Sequence, residues 1–182
     1  MILAIDVQYS GSTAFVAGIT FNDWRSEVPE NEFTSILQGV AEYEPGNFYK
    51  RELPCILKLI EAHDLQPEII VVDGYVFLDG HQRPGLGKYL HDALQGRVAV
   101  IGVAKRSFSG IAEDHEVLRG KSVKPLYVTT SGKLAEAKHH IASMFGEHRI
   151  PVLLKRADQL CRELAKANGN IPSADTDDCR SL

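Results

Sequence analysis

Residues 69–73 read Ile-Ile-Val-Val-Asp, and Gly74 follows them. Four aliphatic side chains in a row leave a strand with no polar face. Such a strand is stable only where both faces are covered, which is the situation of a central strand in a parallel sheet packed between helices. The acid that ends the run stands where α/β sheets gather their active sites, at the carboxyl end of a strand.

The elements around this strand agree with that placement. Ile2 to Tyr9 is a buried first strand, Ser10-Gly11-Ser12 is a turn, and Thr13 to Phe21 is a second β-prone run, so the chain opens with an antiparallel hairpin. Asn22 to Asn31, which contains Pro29, reads as a loop with a third, edge strand near it. Tyr43-Glu44-Pro45-Gly46-Asn47 is a turn. From Phe48 to His63 apolar residues recur at helical spacing, and Pro54 is acceptable there if the helix starts close to it. Gln66-Pro67 ends that helix. A helix over Leu86 to Gln95 and a buried strand over Val98 to Ala104 come next. Residues 106–124 are loop-like, Leu126 to Thr129 is a short strand, and helices span Leu134 to Phe145 and Leu153 to Ala167. The expected fold class is α/β, a mixed sheet with antiparallel strands followed by parallel strands, flanked by helices. An RNase H-like layout is one fold with that order. One domain is expected over residues 1–168, followed by a polar, disordered tail at 169–182.

Composition narrows the function classes. Cys55, Cys161 and Cys179 are an odd count without CxxC spacing, which speaks for reduced, mostly buried thiols and against a zinc knuckle or a disulfide framework. No apolar run approaches the roughly 20 residues of a membrane span. The start MILAIDVQYS has no basic residue before Asp6 and reads as a strand, not an export signal, so a cytoplasmic location is expected. The net charge of −4 gives no global electrostatic case for nucleic acid. Lys and Arg nevertheless gather in the middle of the chain, among them Lys50, Arg51, Arg83, Lys88, Lys105 and Arg106, while the acids concentrate nearer the ends.

Asp6 interrupts an otherwise apolar strand, and a charge there is costly unless something compensates for it. If the first and fourth strands are neighbours, Asp6 and Asp73 share one site. Oxygen ligands of that kind suit Mg²⁺ or Mn²⁺. Glu52 lies just before an apolar helical stretch, where an acid also favours the helix dipole. Spacing alone leaves the ordinary alternatives open: turn former or helix cap for Asp73, first-turn acid for Glu52.

The wording around these acids adds a resemblance. Asp6-Val7-Gln8-Tyr9, Tyr43-Glu44-Pro45-Gly46 with Arg51-Glu52-Leu53-Pro54, and Val71-Val72-Asp73-Gly74 resemble segments of the endonuclease V family. So do His81 with Arg83 and Gly85-Leu86-Gly87, then Ile101-Gly102-Val103-Ala104-Lys105, Lys124-Pro125-Leu126-Tyr127-Val128-Thr129, and Arg149-Ile150-Pro151 with Arg156-Ala157-Asp158, all in the family's order. The resemblance implies an RNase H-like fold and Mg²⁺-dependent hydrolysis of a phosphodiester near a deaminated base such as inosine, in DNA or RNA, with no membrane partner. It implies Asp6 and Asp73 as metal ligands, Glu52 as a ligand or the orienter of a water, and Lys105 at the scissile phosphate. Tyr43, Pro45 and Gly46 become a wedge between strands. Gly74, with Gly80 as a second candidate and His81 nearby, becomes part of the base-reading loop.

Three features depart from the family's pattern. Lys133 stands where the family has a His that serves the metal site, which makes His139 and His140 candidate replacements. The loop at residues 75–80 is longer, and the segment at 110–124 is shorter. These departures keep two alternatives open: a catalytically weak nucleic-acid-binding module, and an RNase H-like nuclease for junctions or flaps.

Overall fold

The computed structural model describes residues 1–41 and 47–169. Strands β1 (Ile2–Ser10), β2 (Thr13–Phe21) and β3 (Asn31–Gln38) lead into helix α1 (Phe48–Ala62). Then come β4 (Ile69–Asp73), α2 (Leu86–Ala93), β5 (Ala99–Ala104), the short β6 (Glu116–Val117), β7 (Leu126–Thr130), α3 (Leu134–Ser143) and α4 (Val152–Ala167). The strands form one sheet in the order β3-β2-β1-β4-β5-β7-β6.

The hairpin and the aliphatic strand meet as expected. β1 pairs antiparallel with β2 from Ile2↔Phe21 to Ser10↔Thr13. On its other edge β1 pairs parallel with β4, from Ile2↔Ile69 to Ile5↔Val72, and β4 continues parallel into β5. β3 is the edge strand beyond β2. Both faces of β4 are covered. Ile70 and Val72 pack with Leu3, Ile5 and Val7 under α1 and α2, while Val71 packs with Ala4, Ile101 and Val103 under α3 and α4. Because strand side chains alternate, Asp6 and Asp73 both project toward the α4 face.

The structure differs from the expectation in three places. β7 runs antiparallel to β5, so the parallel block ends one strand earlier than the order of elements implied. Residues 106–124 contain a 3₁₀ turn at Glu113–His115 and the two-residue strand β6, which pairs with β7. Elements of two or three residues are too short to show a period in sequence. Pro54 lies inside α1, six residues after its start, not beside its beginning. Its missing N–H removes one helical bond, and its exposed position leaves solvent within reach of the carbonyl that loses its donor.

Arg119 closes the far side of the sheet. Its guanidinium is buried and donates to the carbonyls of Met144, Gly146 (3.3 Å), His148 (3.0 Å) and Arg149 (3.4 Å). Burial lowers its pKa. Gly120 follows at φ +56°, and a Cβ there would meet the Glu147 carbonyl at 1.9 Å. One cation therefore shapes the loop that delivers the chain into α4. Among the described residues, no helix is long and apolar enough to cross a membrane.

Arg119→Met keeps the apolar stem and removes the donors. It is expected to destabilise the protein by about 2–4 kcal/mol, the cost of leaving buried carbonyls without a charged donor. Urea denaturation measures this; a loss below about 0.5 kcal/mol, the ordinary range of a surface substitution, would show that the loop is held by other contacts.

Candidate active site

The pairing of β1 with β4 decides the site. The register ends at Ile5↔Val72, so Asp6 and Asp73 come next, side by side on adjacent strands. Neighbouring strands lie about 4.8 Å apart, and both side chains emerge on one face. Asp6 is 4% exposed. Both acids line a cavity of about 420 Å³ between the sheet and α4, together with Lys105, Arg149, Asp158 and Arg162.

Cations are built into the same cavity. The Lys105 ammonium lies 2.8 Å from Asp73 Oδ2. Arg162, one turn after Asp158 on α4, donates from Nε to both Asp158 oxygens at 3.1 Å. Arg149 donates to the carbonyls of Lys105 and Pro125, the latter at 2.6 Å, which ties the end of β5 to the start of β7. The α4 helix approaches closely because Ala157, Cys161 and Ala165 are its inward residues. The Cys161 thiol donates to the Asp6 carbonyl at 2.9 Å and to that of Phe15 at 3.3 Å. α4 is thereby fastened to the backbone of the residue whose carboxylate it faces.

Glu52 stands apart from this cavity. It is buried on the inward face of α1 with Cys55, Ile56 and Leu59. The first turns of α1 rest on the end of β1: Phe48 meets the Tyr9 ring edge-on at 6.5 Å, and the Arg51 guanidinium lies 3.9 Å over the same ring. Glu52 is therefore at the same end of the sheet as Asp6 and Asp73. Burial first, and the Glu52 charge second, push the Cys55 thiol up to about 11. Among the described residues, no three His, Cys, Asp or Glu side chains are gathered tightly enough to form a ligand cluster. The carboxylates that line the cavity, Asp6, Asp73 and Asp158, suit a hard cation such as Mg²⁺ or Mn²⁺, and the His148 imidazole lines it with them.

A smaller cavity, about 90 Å³, opens on the other side of Asp73 and is lined by Gly74, Tyr75, Phe48, Tyr49, Arg83 and Phe108, with Gly85 at its wall. Gly74 turns the chain out of β4 at φ +138° and donates its N–H to the Val103 carbonyl at 3.1 Å. Gly102 lets this turn lie against β5, since a Cβ there would meet the Gly74 carbonyl at 2.6 Å and the Val76 nitrogen at 2.8 Å. Buried Thr129 accepts the Val76 N–H at 2.8 Å. The Tyr75 hydroxyl donates to the Arg106 carbonyl at 2.5 Å, and burial raises its pKa well above the usual range.

The endonuclease V family model matches residues 1–133. The chain belongs to the endonuclease V family. Endonuclease V of Streptomyces avermitilis is 31% identical over 156 residues, which are 74% of this chain and 67% of that protein. Endonuclease V of Streptomyces coelicolor is 32% identical over 152 residues, 72% of this chain and 64% of that one. The chain thus matches about two thirds of the length of these relatives. The crystal structure of the Streptomyces avermitilis protein superposes with a TM-score of 0.73 at 27% identity, covering 92% of this chain and 82% of that one. Ciona intestinalis endonuclease V, in complex with a 24mer DNA containing an inosine followed by a ribo-adenosine, shares the fold at a TM-score of 0.75 and 21% identity, covering 92% of this chain and 86% of that one. The fold is the RNase H-like fold of these endonuclease V structures.

Within this endonuclease V scaffold the remaining expected residues fall in different places. Gly80, at φ +86°, packs on the ring of buried His115 and lines neither cavity. His81 is exposed, edge-on to His115 at 5.5 Å between ring centroids. Lys133 lies exposed at the start of α3 and pairs with Glu136 at 2.8 Å. His140 stacks on Trp24 at 4.5 Å, with His139 beside it. None of these three residues lines either cavity. Tyr43, Pro45 and Gly46 lie outside the described residues, as does the tail from residue 170. Gly85 and Asp158 are among the cavity residues that drew no role from sequence. Gly85 packs under the Tyr75 carbonyl, where a Cβ would come within 2.5 Å. Asp158 was quoted only as part of a helix motif; its signal is an acid placed next to the buried stripe Ala157, Cys161 and Ala165.

The loop that carries Arg83 and Gly85 toward the small cavity is organised by Asp79. Its Oδ1 accepts the backbone N–H groups of His81 (2.9 Å), Gln82 (2.9 Å) and Arg83 (3.0 Å), which together lower the carboxyl to about 2. A depressed folded-state pKa means that the contribution is present above the unfolded value and lost as pH falls toward 2. A carbon-detected NMR titration of the native protein is expected to give Asp79 a midpoint near 2, below the ordinary 3.8. A midpoint at the ordinary value would show that the turn does not persist in solution.

Proposed function

We propose that this chain is a metal-dependent endonuclease that hydrolyses a phosphodiester bond in DNA or RNA near a deaminated base such as inosine, a role in DNA repair or RNA processing. The observation that supports the reading most directly is the side-by-side placement of Asp6 and Asp73 just past the parallel pairing of β1 with β4, both facing one cavity with Lys105 beside them. Family membership and the inosine-containing DNA bound by the Ciona intestinalis protein supply the substrate class.

In this reading Asp6 and Asp73 would hold Mg²⁺, or Mn²⁺ in its place, with Asp158 as a further carboxylate of the same cavity and Glu52 orienting a water. When bound, the cation makes a nucleophile available from water near neutral pH and offsets charge on the phosphoryl oxygens. Lys105 is poised at the mouth, where its ammonium meets the scissile phosphate and stabilises charge that grows in the transition state. The smaller cavity receives the flipped base. Gly74 permits close backbone approach there because it has no side chain, and the aromatic walls offer stacking surface. His81, exposed beside His115, keeps the proposed role of a nucleic-acid contact. Tyr43, Pro45 and Gly46 keep the proposed role of a wedge.

The binding-module alternative took its motive from Lys133, which stands at a position outside the cavity and bears on none of its carboxylates. No specific observation favours junctions or flaps as the substrate.

Purified protein is expected to nick an inosine-containing oligonucleotide when Mg²⁺ or Mn²⁺ is added and to stop when the metal is chelated. Asp73→Asn and Asp6→Asn are each expected to lower the rate at least about 100-fold, beyond the 10- to 100-fold typical of residues that only support a ligand. A gel assay with labelled strands reads this. Unchanged nicking by both variants would remove these acids from the chemistry.

A further inference from the structure

The smaller cavity has a rim that reading a base inside it does not require. Tyr49, in the first turn of α1, lines the cavity, and its ring stacks on Tyr89 of α2 with centroids 3.6 Å apart and planes 12° from parallel. Both tyrosines are half-buried, so aromatic surface of the pair meets solvent. A hydrogen bond to Tyr49 raises the pKa of the Tyr89 hydroxyl, and the ammonium of exposed Lys50 lies near enough to oppose that shift. Across the opening, the exposed Arg83 lies over the Phe108 ring at 5.3 Å, and Phe108 meets Tyr75 edge-on at 6.2 Å. Cations and aromatic rings thus gather round one opening on a chain whose net charge is −4.

Packing of the two helices does not need the tyrosine pair. α1 and α2 already share a core through Ile56, Leu59, Leu86 and Leu90. Tyr49 packs against the edge of that core and lines the cavity, and Tyr89, half-buried, stacks on it. An exposed aromatic platform with neighbouring cations is the chemistry that holds unpaired nucleotides: the rings take the base faces and the cations take the phosphates.

We propose that Tyr49 and Tyr89 form a stacking subsite for the unpaired nucleotide adjoining the base in the small cavity, with Lys50 and Arg83 beside its phosphates. This inference rests on the reading of that cavity as the base pocket. It assigns the protein a preference for single-stranded or locally unpaired substrate, because a base still stacked in a duplex has no free face to offer. Stacking of this kind tolerates any base, so the preference is for strand state and not for flanking sequence.

The test is fluorescence anisotropy in EDTA with a labelled single strand, with and without one inosine, and with the matching duplex. Tyr89→Leu retains apolar bulk between the helices but removes the π face, and Tyr89→Phe retains the ring. Tyr89→Leu is expected to weaken single-strand binding about fivefold or more, to weaken duplex binding less, and to unfold near the wild-type temperature; Tyr89→Phe is expected to bind close to wild type. If Tyr89→Leu binds single strands as wild type does, or if Tyr89→Phe loses as much as Tyr89→Leu, the stacking subsite is overturned. The two readings fail separately. Nicking of inosine substrates by the wild type, with single-strand binding indifferent to Tyr89→Leu, overturns only the subsite. Single-strand binding that depends on the Tyr89 ring, without nicking under Mg²⁺ or Mn²⁺, supports the subsite and overturns only the nuclease.

Discussion

The parallel pairing of β1 with β4 is the constraint on which the rest depends. It covers the aliphatic run Ile69 to Val72 on both faces and sets the register of the sheet's centre. The same register brings Asp6 level with Asp73. A shift of one residue would turn every side chain of β4 to the opposite face. Val71 would then leave the α4 side and Asp73 would point toward α1. The hydrophobic pattern that stabilises the fold is therefore also what aligns the acids, and neither can be changed without the other.

Two carboxylates side by side near an apolar core repel each other and lose hydration. The structure offsets this locally. Lys105 reaches Asp73 from the end of β5, while Arg162 holds the third acid, Asp158, and the Cys161 thiol ties α4 to the Asp6 backbone. Arg119 then fixes the loop that starts α4, the helix bearing both Asp158 and Arg162. A cation far from the acids thus affects them through the path of the backbone, which separates loss of fold from loss of chemistry when variants are compared.

Much of this was legible in the sequence, for reasons that can be stated residue by residue. The hairpin of β1 and β2 announced itself by two apolar runs round Ser10-Gly11-Ser12, and the buried strands by unbroken aliphatic residues. Asp6 was conspicuous because an acid in such a strand needs a reason. β6 and the direction of β7 were hidden, because direction depends on the path of residues 106–124, which have no period. Asp158 was hidden because an acid beside an Arg four residues later looks like any exposed helical pair; only the approach of α4 to β1 turns it inward. Gly80 was the opposite case. The resemblance offered it as a second base-reading glycine, but the residue that needs its missing side chain is His115, more than 30 positions later in the chain.

Asp73 lines both cavities, one on each side of it. The turn that leaves it, Gly74 to Val76, is clamped to β5 by the close approach at Gly102 and by the bond from Val76 to Thr129. A group lodged in the smaller cavity is consequently at a set distance from the carboxylates in the larger one, and that distance is carried by backbone, not by a flexible side chain. In the proposed reading a base held in the smaller cavity would thereby be set against the carboxylates of the larger one. The segment between them is three residues long, and Gly74 and Gly102 are what let it lie so close to β5.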